Sequence, residues 1–138
     1  MSVAVALITA CGVVLVGVGG FFLMVRPPLM AEDVEFMGTT VDGIDTALPG
    51  LARWLRRVFW VLGGFIVTSG LLVAYVALTG LRDGDSAALV VLGLAALTSV
   101  GWMTVVNFLL RSHFRWVLLA RAGLWVTGLL LAVLAPGR

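Results

Sequence analysis

Four long runs of apolar residues, each free of charged side chains, dominate the chain. Asp, Glu, Lys, Arg and His are absent from 1–25, 58–81, 86–110 and 122–137. A helix needs about 20 apolar residues to cross a hydrocarbon core of about 30 Å, and the first three runs exceed that length. The pattern therefore predicts four membrane spans, at about 3–25, 58–79, 87–110 and 116–135.

Each run is expected to be helical, because a backbone amide cannot stay unpaired in hydrocarbon. The strands of a membrane barrel would be about ten residues long with alternating polarity, and these runs do not alternate. We therefore predict an all-α, integral membrane four-helix bundle. Residues 1–138 form a single transmembrane domain in this interpretation.

The connection 26–57 is predicted to carry short amphipathic helices on the cytoplasmic side. Pro27 and Pro28 end span 1, because proline lacks the amide that a helix interior needs. Apolar residues then recur at helical spacing as far as Gly38. The carboxylates Glu32, Asp33 and Glu35 lie in the first turns, where the helix dipole favours negative charge. Pro49 restarts a helix that leads into span 2.

The composition supports a membrane protein and argues against nucleic acid as a partner. The chain is 62% hydrophobic and 12% charged, whereas soluble domains average about 45–50% and about 25%. Its net charge of +2 comes from arginines at the ends of the spans, where they meet phospholipid headgroups. Membrane lipids are the expected partners. The absence of lysine, with abundant Ala, Val, Leu and Gly, indicates a GC-rich bacterial genome.

The distribution of arginines predicts the orientation, because cytoplasmic loops carry an excess of positive charge. Seven arginines lie at the 1–2 and 3–4 connections: Arg26, Arg53, Arg56, Arg57, Arg111, Arg115 and Arg121. Arg82 and Arg138 lie on the other side. We expect a bacterial plasma (inner) membrane, with connections 26–57 and 111–115 in the cytoplasm and both termini outside.

Polar residues near this cytoplasmic end are the candidate lipid-binding or partner-binding site: Arg53, Arg56, Arg57, Arg111, Arg115, Arg121 and Asn107. A second group is the acidic segment Glu32, Asp33 and Glu35. One hypothesis is that the connection folds back over the bundle and these acids face the arginines. The alternative is a solvated loop, since an exposed ion pair contributes only about 0–1 kcal/mol.

Two of these residues lie within predicted spans and carry specific expectations. Arg121 is more than one turn inside span 4. It either snorkels to the interface or meets a structural partner, or it forms a ligand or headgroup site. Asn107 precedes Arg111 by one turn, and we expect its amide to bond to another helix or to the connection.

Catalytic, metal and cofactor motifs are absent from the sequence. One cysteine, Cys11, excludes an internal disulfide or a CxxC site, and we expect it to be buried against another helix. His113 is the only histidine, so no metal-ligand spacing exists. No nucleophile elbow, Walker-type loop or HExxH motif occurs. We predict no cofactor, no metal and no catalytic residue.

Small residues four apart predict close packing between spans. The pairs are Gly64/Thr68, Gly70/Ala74, Ala95/Ser99, Gly123/Thr127 and Gly128/Ala132. They serve either the bundle itself or a homo-oligomer.

Three segments, RPPLMAEDVEFMG, LPGLARWLRRVFWVLGGF and GWMTVVNFLLRSHFRW, resemble small, uncharacterised four-helix bacterial inner-membrane proteins. The resemblance covers most of the chain. It implies the four-span layout and no activity.

Three classes of function fit this sequence. The first is a small polytopic, non-enzymatic protein that serves assembly as an accessory subunit or binds lipid or a larger membrane-protein partner. The second is an oligomeric small transporter or permeability protein. The third is a membrane enzyme acting at headgroup level, which would bring Glu32, Asp33 or Glu35 close to His113.

Overall fold

The computed structural model describes residues 1–134, and their regular structure is entirely helical. The α-helices are α1 Val3–Met24, α2 Ala31–Phe36, α3 Val41–Ala47, α4 Leu51–Val76, α5 Ser86–Ala96, α6 Trp102–Leu109 and α7 Arg115–Leu134. A π-helical segment, Ala77–Leu81, continues α4, and a second one, Leu97–Gly101, joins α5 to α6.

Four of these helical stretches are long and apolar enough to cross a membrane, which confirms the predicted number of candidate spans. They are span 1 Val3–Met24, span 2 Leu51–Leu81, span 3 Ser86–Leu109 and span 4 Arg115–Leu134. Position 135, the predicted end of span 4, and Arg138 lie outside the described residues.

The helix of span 2 begins earlier than its apolar run. Gly50 takes a φ of 98° and starts α4 at Leu51, so the residues between Leu51 and Val58 extend the same helix. The connection also contains α3, whose start is capped by Thr40: the Thr40 hydroxyl accepts a hydrogen bond from the Gly43 amide at 3.1 Å. Residues 26–50 therefore form two short helices and turns.

Glycines allow α1 and α4 to touch along their backbones. A Cβ atom added to Gly12 would lie 2.8 Å from the Gly70 carbonyl oxygen, and one added to Gly70 would lie 2.6 Å from the Gly12 carbonyl oxygen. Gly19 and Gly63 make the same kind of reciprocal contact nearer the connection. Gly12 and Gly19 are seven residues apart on α1, and Gly63 and Gly70 are seven residues apart on α4. Seven residues make about two helical turns, so both glycines of a helix lie on the same face. Gly64, from the predicted small-residue pairs, faces open space instead.

The remaining spans complete the bundle less tightly. Span 1 lies between α4 and α7, and span 3 packs on α7 and on the π-helical end of span 2. Gly128 of α7 packs on Ile8. The side chains of Ile8, Leu15, Leu92, Val100 and Trp125 form the fully buried centre.

Spans 2 and 3 leave a groove between them. Its volume is about 220 Å³, and apolar residues of both spans line it together with Ser69, Thr98 and Ser99. These three hydroxyls bond to carbonyl oxygens of their own helices. We call the end with the span 2–span 3 turn the hairpin end, and the opposite end, with residues 25–50 and 110–114, the connection end.

Candidate functional site

The acidic segment is anchored at the connection end through Asp33. One oxygen of Asp33, Oδ2, accepts a hydrogen bond from the Met30 amide at 2.9 Å and another from Nη2 of Arg26 at 3.3 Å. The first bond satisfies an amide that the start of α2 leaves without a helical partner. The second links α2 back to the end of α1, across the turn at Pro27 and Pro28.

Arg26 also joins the ends of α1 and α4. Its guanidinium carbon lies 3.7 Å from the centre of the Phe59 ring and 5.2 Å from that of Phe22. The two rings meet edge to face, with centres 5.9 Å apart. A cation over an aromatic face contributes about 0.5–1 kcal/mol at an exposed site and more when it is desolvated. Arg26 is therefore a structural residue as well as a charge at the end of a span.

Glu32 fixes α2 to the loop between spans 3 and 4. It accepts hydrogen bonds from the Ser112 hydroxyl at 3.0 Å and from the His113 amide at 3.3 Å. The Nδ1 atom of His113 lies 3.5 Å from the same carboxylate. Ser112 is only 1% exposed, and its Oγ also accepts a bond from the Phe114 amide at 3.2 Å. The connection thus folds back onto the bundle at this point.

The carboxylates do not meet the arginines that we expected them to face. Among residues 1–134, the ion pairs are Arg26–Asp33 and the contact between His113 and Glu32. Glu35 is exposed and makes no such pair. The expected partners were the arginines at the start of span 2, in the 3–4 connection and in span 4, whereas Asp33 pairs with Arg26, seven residues before it in the chain.

The cluster of Glu32, Ser112 and His113 brings an acid close to the histidine, as expected of a headgroup-level enzyme, but its hydroxyl is buried. A nucleophile needs a base within hydrogen-bond reach. The Ser112 hydroxyl donates to the Glu32 carboxylate, a base within that reach, but Ser112 is buried, which denies a substrate access to it. The His113 side chain is 92% exposed. Within the described part of the chain, no group of three or more His, Cys, Asp or Glu could hold a metal ion.

The first turns of α4 carry an exposed basic surface, which we call the arginine collar: Arg53, Arg56 and Arg57. All three side chains are exposed, and no described residue forms an ion pair with them. Residues three and four apart lie on one face of a helix, so the three charges share one side of α4. Trp54 and Trp60 flank them and are 60% and 51% exposed. The collar adjoins the apolar length of span 2.

The polar residues at the connection between spans 3 and 4 have different surroundings. Arg111 is exposed and takes a φ of 54°, two residues after the end of α6. The guanidinium of Arg115 lies 6.0 Å from the centre of the Phe108 ring and 5.8 Å from that of Trp116. Asn107 donates from Nδ2 to the Met103 carbonyl at 2.9 Å, so it bonds to its own helix and not across helices as expected.

Arg121 does not snorkel. The residue is 7% exposed, and its Nη2 donates to the carbonyl oxygen of Cys11 at 3.1 Å. Its Nε and Nη1 are buried without a partner among the described residues, and so is Nε1 of Trp125. Cys11 is buried, as predicted.

Three contributors to these sites were missed from sequence: the pairing of Arg26, the anchoring by Ser112 and the buried indole of Trp125. The spacing of Arg26 and Asp33 across a proline turn was a usable signal. The partners Glu32 and Ser112 are 80 residues apart, and no local pattern joins them. No known family model, curated protein or solved structure matches the chain.

Proposed function

We propose that this chain is a multi-pass, non-enzymatic membrane protein whose arginine collar binds the headgroups of anionic phospholipids. In this role it recruits or orders acidic lipid as an accessory component of a bacterial plasma membrane. The connection end then faces the cytoplasm, where anionic headgroups attract basic segments. The observation that carries the proposal is the set of three exposed arginines at the end of an apolar helix, without an acidic partner among residues 1–134.

The geometry of the collar suits a phosphate ligand. A guanidinium offers paired N–H donors that match phosphate oxygens, and a basic residue near an anionic surface contributes about 1 kcal/mol. Trp54 and Trp60 are exposed beside it, and tryptophan favours the headgroup level.

The acidic segment does not oppose this binding. Asp33 and Glu32 are occupied by Arg26 and by the Ser112–His113 loop, so they leave the collar charges free. This arrangement also accounts for an acidic segment next to a membrane: its carboxylates hold the connection in place, and the collar supplies the charge that attracts lipid.

The test is competition for phospholipid in nanodiscs that contain phosphatidylglycerol and phosphatidylcholine. We expect the protein to enrich phosphatidylglycerol around itself. The triple variant R53Q/R56Q/R57Q should lose that preference by about tenfold or more, since three charges contribute about 1 kcal/mol each near the surface. The lipids retained by the protein can be counted by native mass spectrometry.

Arg82 at the hairpin end provides the matched control. R82Q removes an arginine from the end that we place outside, so its lipid preference should equal that of the wild type. A triple variant that keeps the full phosphatidylglycerol preference would refute the proposal.

A further inference from the structure

The centre of the bundle contains hydrogen-bond donors without acceptors. Nε and Nη1 of Arg121 and Nε1 of Trp125 are buried, and none has a partner among residues 1–134. Arg121 and Trp125 are four residues apart on α7, so they lie on one face of that helix, about 5–6 Å apart at Cβ. Trp125 is fully buried and Arg121 nearly so.

The depth of this pair follows from the contacts of α1. Arg121 reaches the carbonyl oxygen of Cys11, and the next residue, Gly12, packs on Gly70 of α4. Gly70 is 12 residues after Val58 and 11 before Leu81, which places it about 17 Å from either end of that apolar run. The guanidinium therefore lies close to the middle of the apolar layer.

No acidic side chain among residues 1–134 forms an ion pair with Arg121. Guanidinium and indole groups donate hydrogen bonds and accept none, and arginine keeps its charge in proteins. The four spans contain no Asp or Glu. The Cys11 carbonyl is a neutral dipole that satisfies one N–H of Arg121. An unpaired charge taken out of water costs several kcal/mol, so an acceptor that carries negative charge would stabilise the guanidinium here.

We infer that Arg121 and Trp125 form an internal binding site for a small anion of the halide class, with chloride as the physiological occupant. The unpaired nitrogens of the guanidinium and the indole N–H would donate to it together. Arg121 and Trp125 are themselves almost fully buried, which favours a monatomic anion over a phosphate group attached to a lipid. The site is separate from the arginine collar and does not depend on lipid binding.

The experiment compares thermal unfolding of the detergent-purified protein in sodium chloride and in sodium gluconate at equal ionic strength. Gluconate carries the same charge as chloride on a much larger ion, so it should not occupy a site for a monatomic anion. A ligand that binds only the folded state raises its stability in proportion to ln(1 + [L]/Kd). We therefore expect the Tm of the wild type to rise along a binding curve as chloride replaces gluconate.

Two variants and one control locate the effect. R121Q removes the charge and should abolish the chloride response. W125F keeps a smaller aromatic ring and removes the N–H donor. The chloride concentration at half of the Tm response should rise about tenfold, as for one lost hydrogen bond to a charged group. T9V is the control, because Thr9 also has an unpartnered buried hydroxyl but lies about 200° around α1 from Cys11; its response should match the wild type.

A wild-type Tm that is the same in chloride and gluconate would overturn the inference and would assign water to these donors. A chloride response that W125F retains at wild-type concentrations would also overturn it, by placing the anion elsewhere. If R121Q does not fold, the wild-type and W125F titrations still decide between these outcomes.

Discussion

The arginine collar and Arg121 place the same side chain in opposite settings. The collar residues are exposed at the start of α4, so water or headgroups can satisfy all their donors. Arg121 is buried near the middle of the bundle, with one bond to a carbonyl and two nitrogens without a described partner. An arginine at a helix end adapts to whatever surrounds it, whereas a buried one requires a partner at a fixed place.

The exposed and the buried arginines should therefore affect different properties of the protein. Changes in the collar should alter what the protein binds at the surface and leave its stability almost unchanged. Changes around Arg121 should alter stability and make it depend on the anion present.

The largest effect should come from moving α1, which carries the carbonyl that Arg121 uses. In G70A, the new Cβ would meet the Gly12 carbonyl oxygen at 2.6 Å, and overpacking of this kind costs about 1–3 kcal/mol. We expect a Tm well below that of the wild type in detergent. G64A is the control, because its Cβ meets open space; replacing a helical glycine by alanine there should raise stability by up to about 1 kcal/mol. Equal Tm values for the two variants would contradict the close contact.

Replacing Arg121 by methionine tests the cost of its buried charge. Apolar replacement of buried charged groups is often neutral or stabilising by about 1–4 kcal/mol. In gluconate, where we expect no bound anion, R121M should therefore be more stable than the wild type by about 1–2 kcal/mol. Chloride should narrow that gap. A lower Tm for R121M in gluconate would mean that the guanidinium already has the partners it needs.

The number of spans could be predicted from the sequence, but the burial of the Arg121 charge could not. Span number follows from apolar length, which hydrocarbon thickness sets directly. A helix that starts after Pro49 and leads into span 2 was predicted, and α4 begins at Leu51. Whether Arg121 snorkels depends on which carbonyl α1 presents at its level. Gly12 and Gly19 set how α1 is aligned along α4, because they contact Gly70 and Gly63. Their spacing of seven residues was the signal in the sequence for this alignment.

Loss of the Glu32 charge should have a smaller effect. In E32Q, the bonds to Ser112 and His113 lose their charge-assisted character, which is worth about 1 kcal/mol. Hydrogen–deuterium exchange should then be about fivefold faster at the amides of α2. E35Q is the matched control, because Glu35 is exposed; exchange in that variant should equal the wild type. Unchanged exchange in E32Q would show that Glu32 does not hold the connection.

The smallest change in stability is expected at the collar. R56M removes one exposed charge that has no ion-pair partner among the described residues. Its free energy of unfolding in detergent, followed through Tm, should differ from that of the wild type by at most about 0.5 kcal/mol. It should do so in chloride and in gluconate alike. A clear loss of stability in R56M would remove the contrast with Arg121, since it would show that the collar also supports the fold.

The most direct measurement is anomalous diffraction from crystals in which bromide replaces chloride. Bromide scatters anomalously and keeps the charge and spherical shape of chloride. The result that we predict is a peak within hydrogen-bond distance of the Arg121 guanidinium and of Nε1 of Trp125. A map without that peak, in which Nε and Nη1 of Arg121 bond to protein oxygens or to water, would contradict an internal anion site.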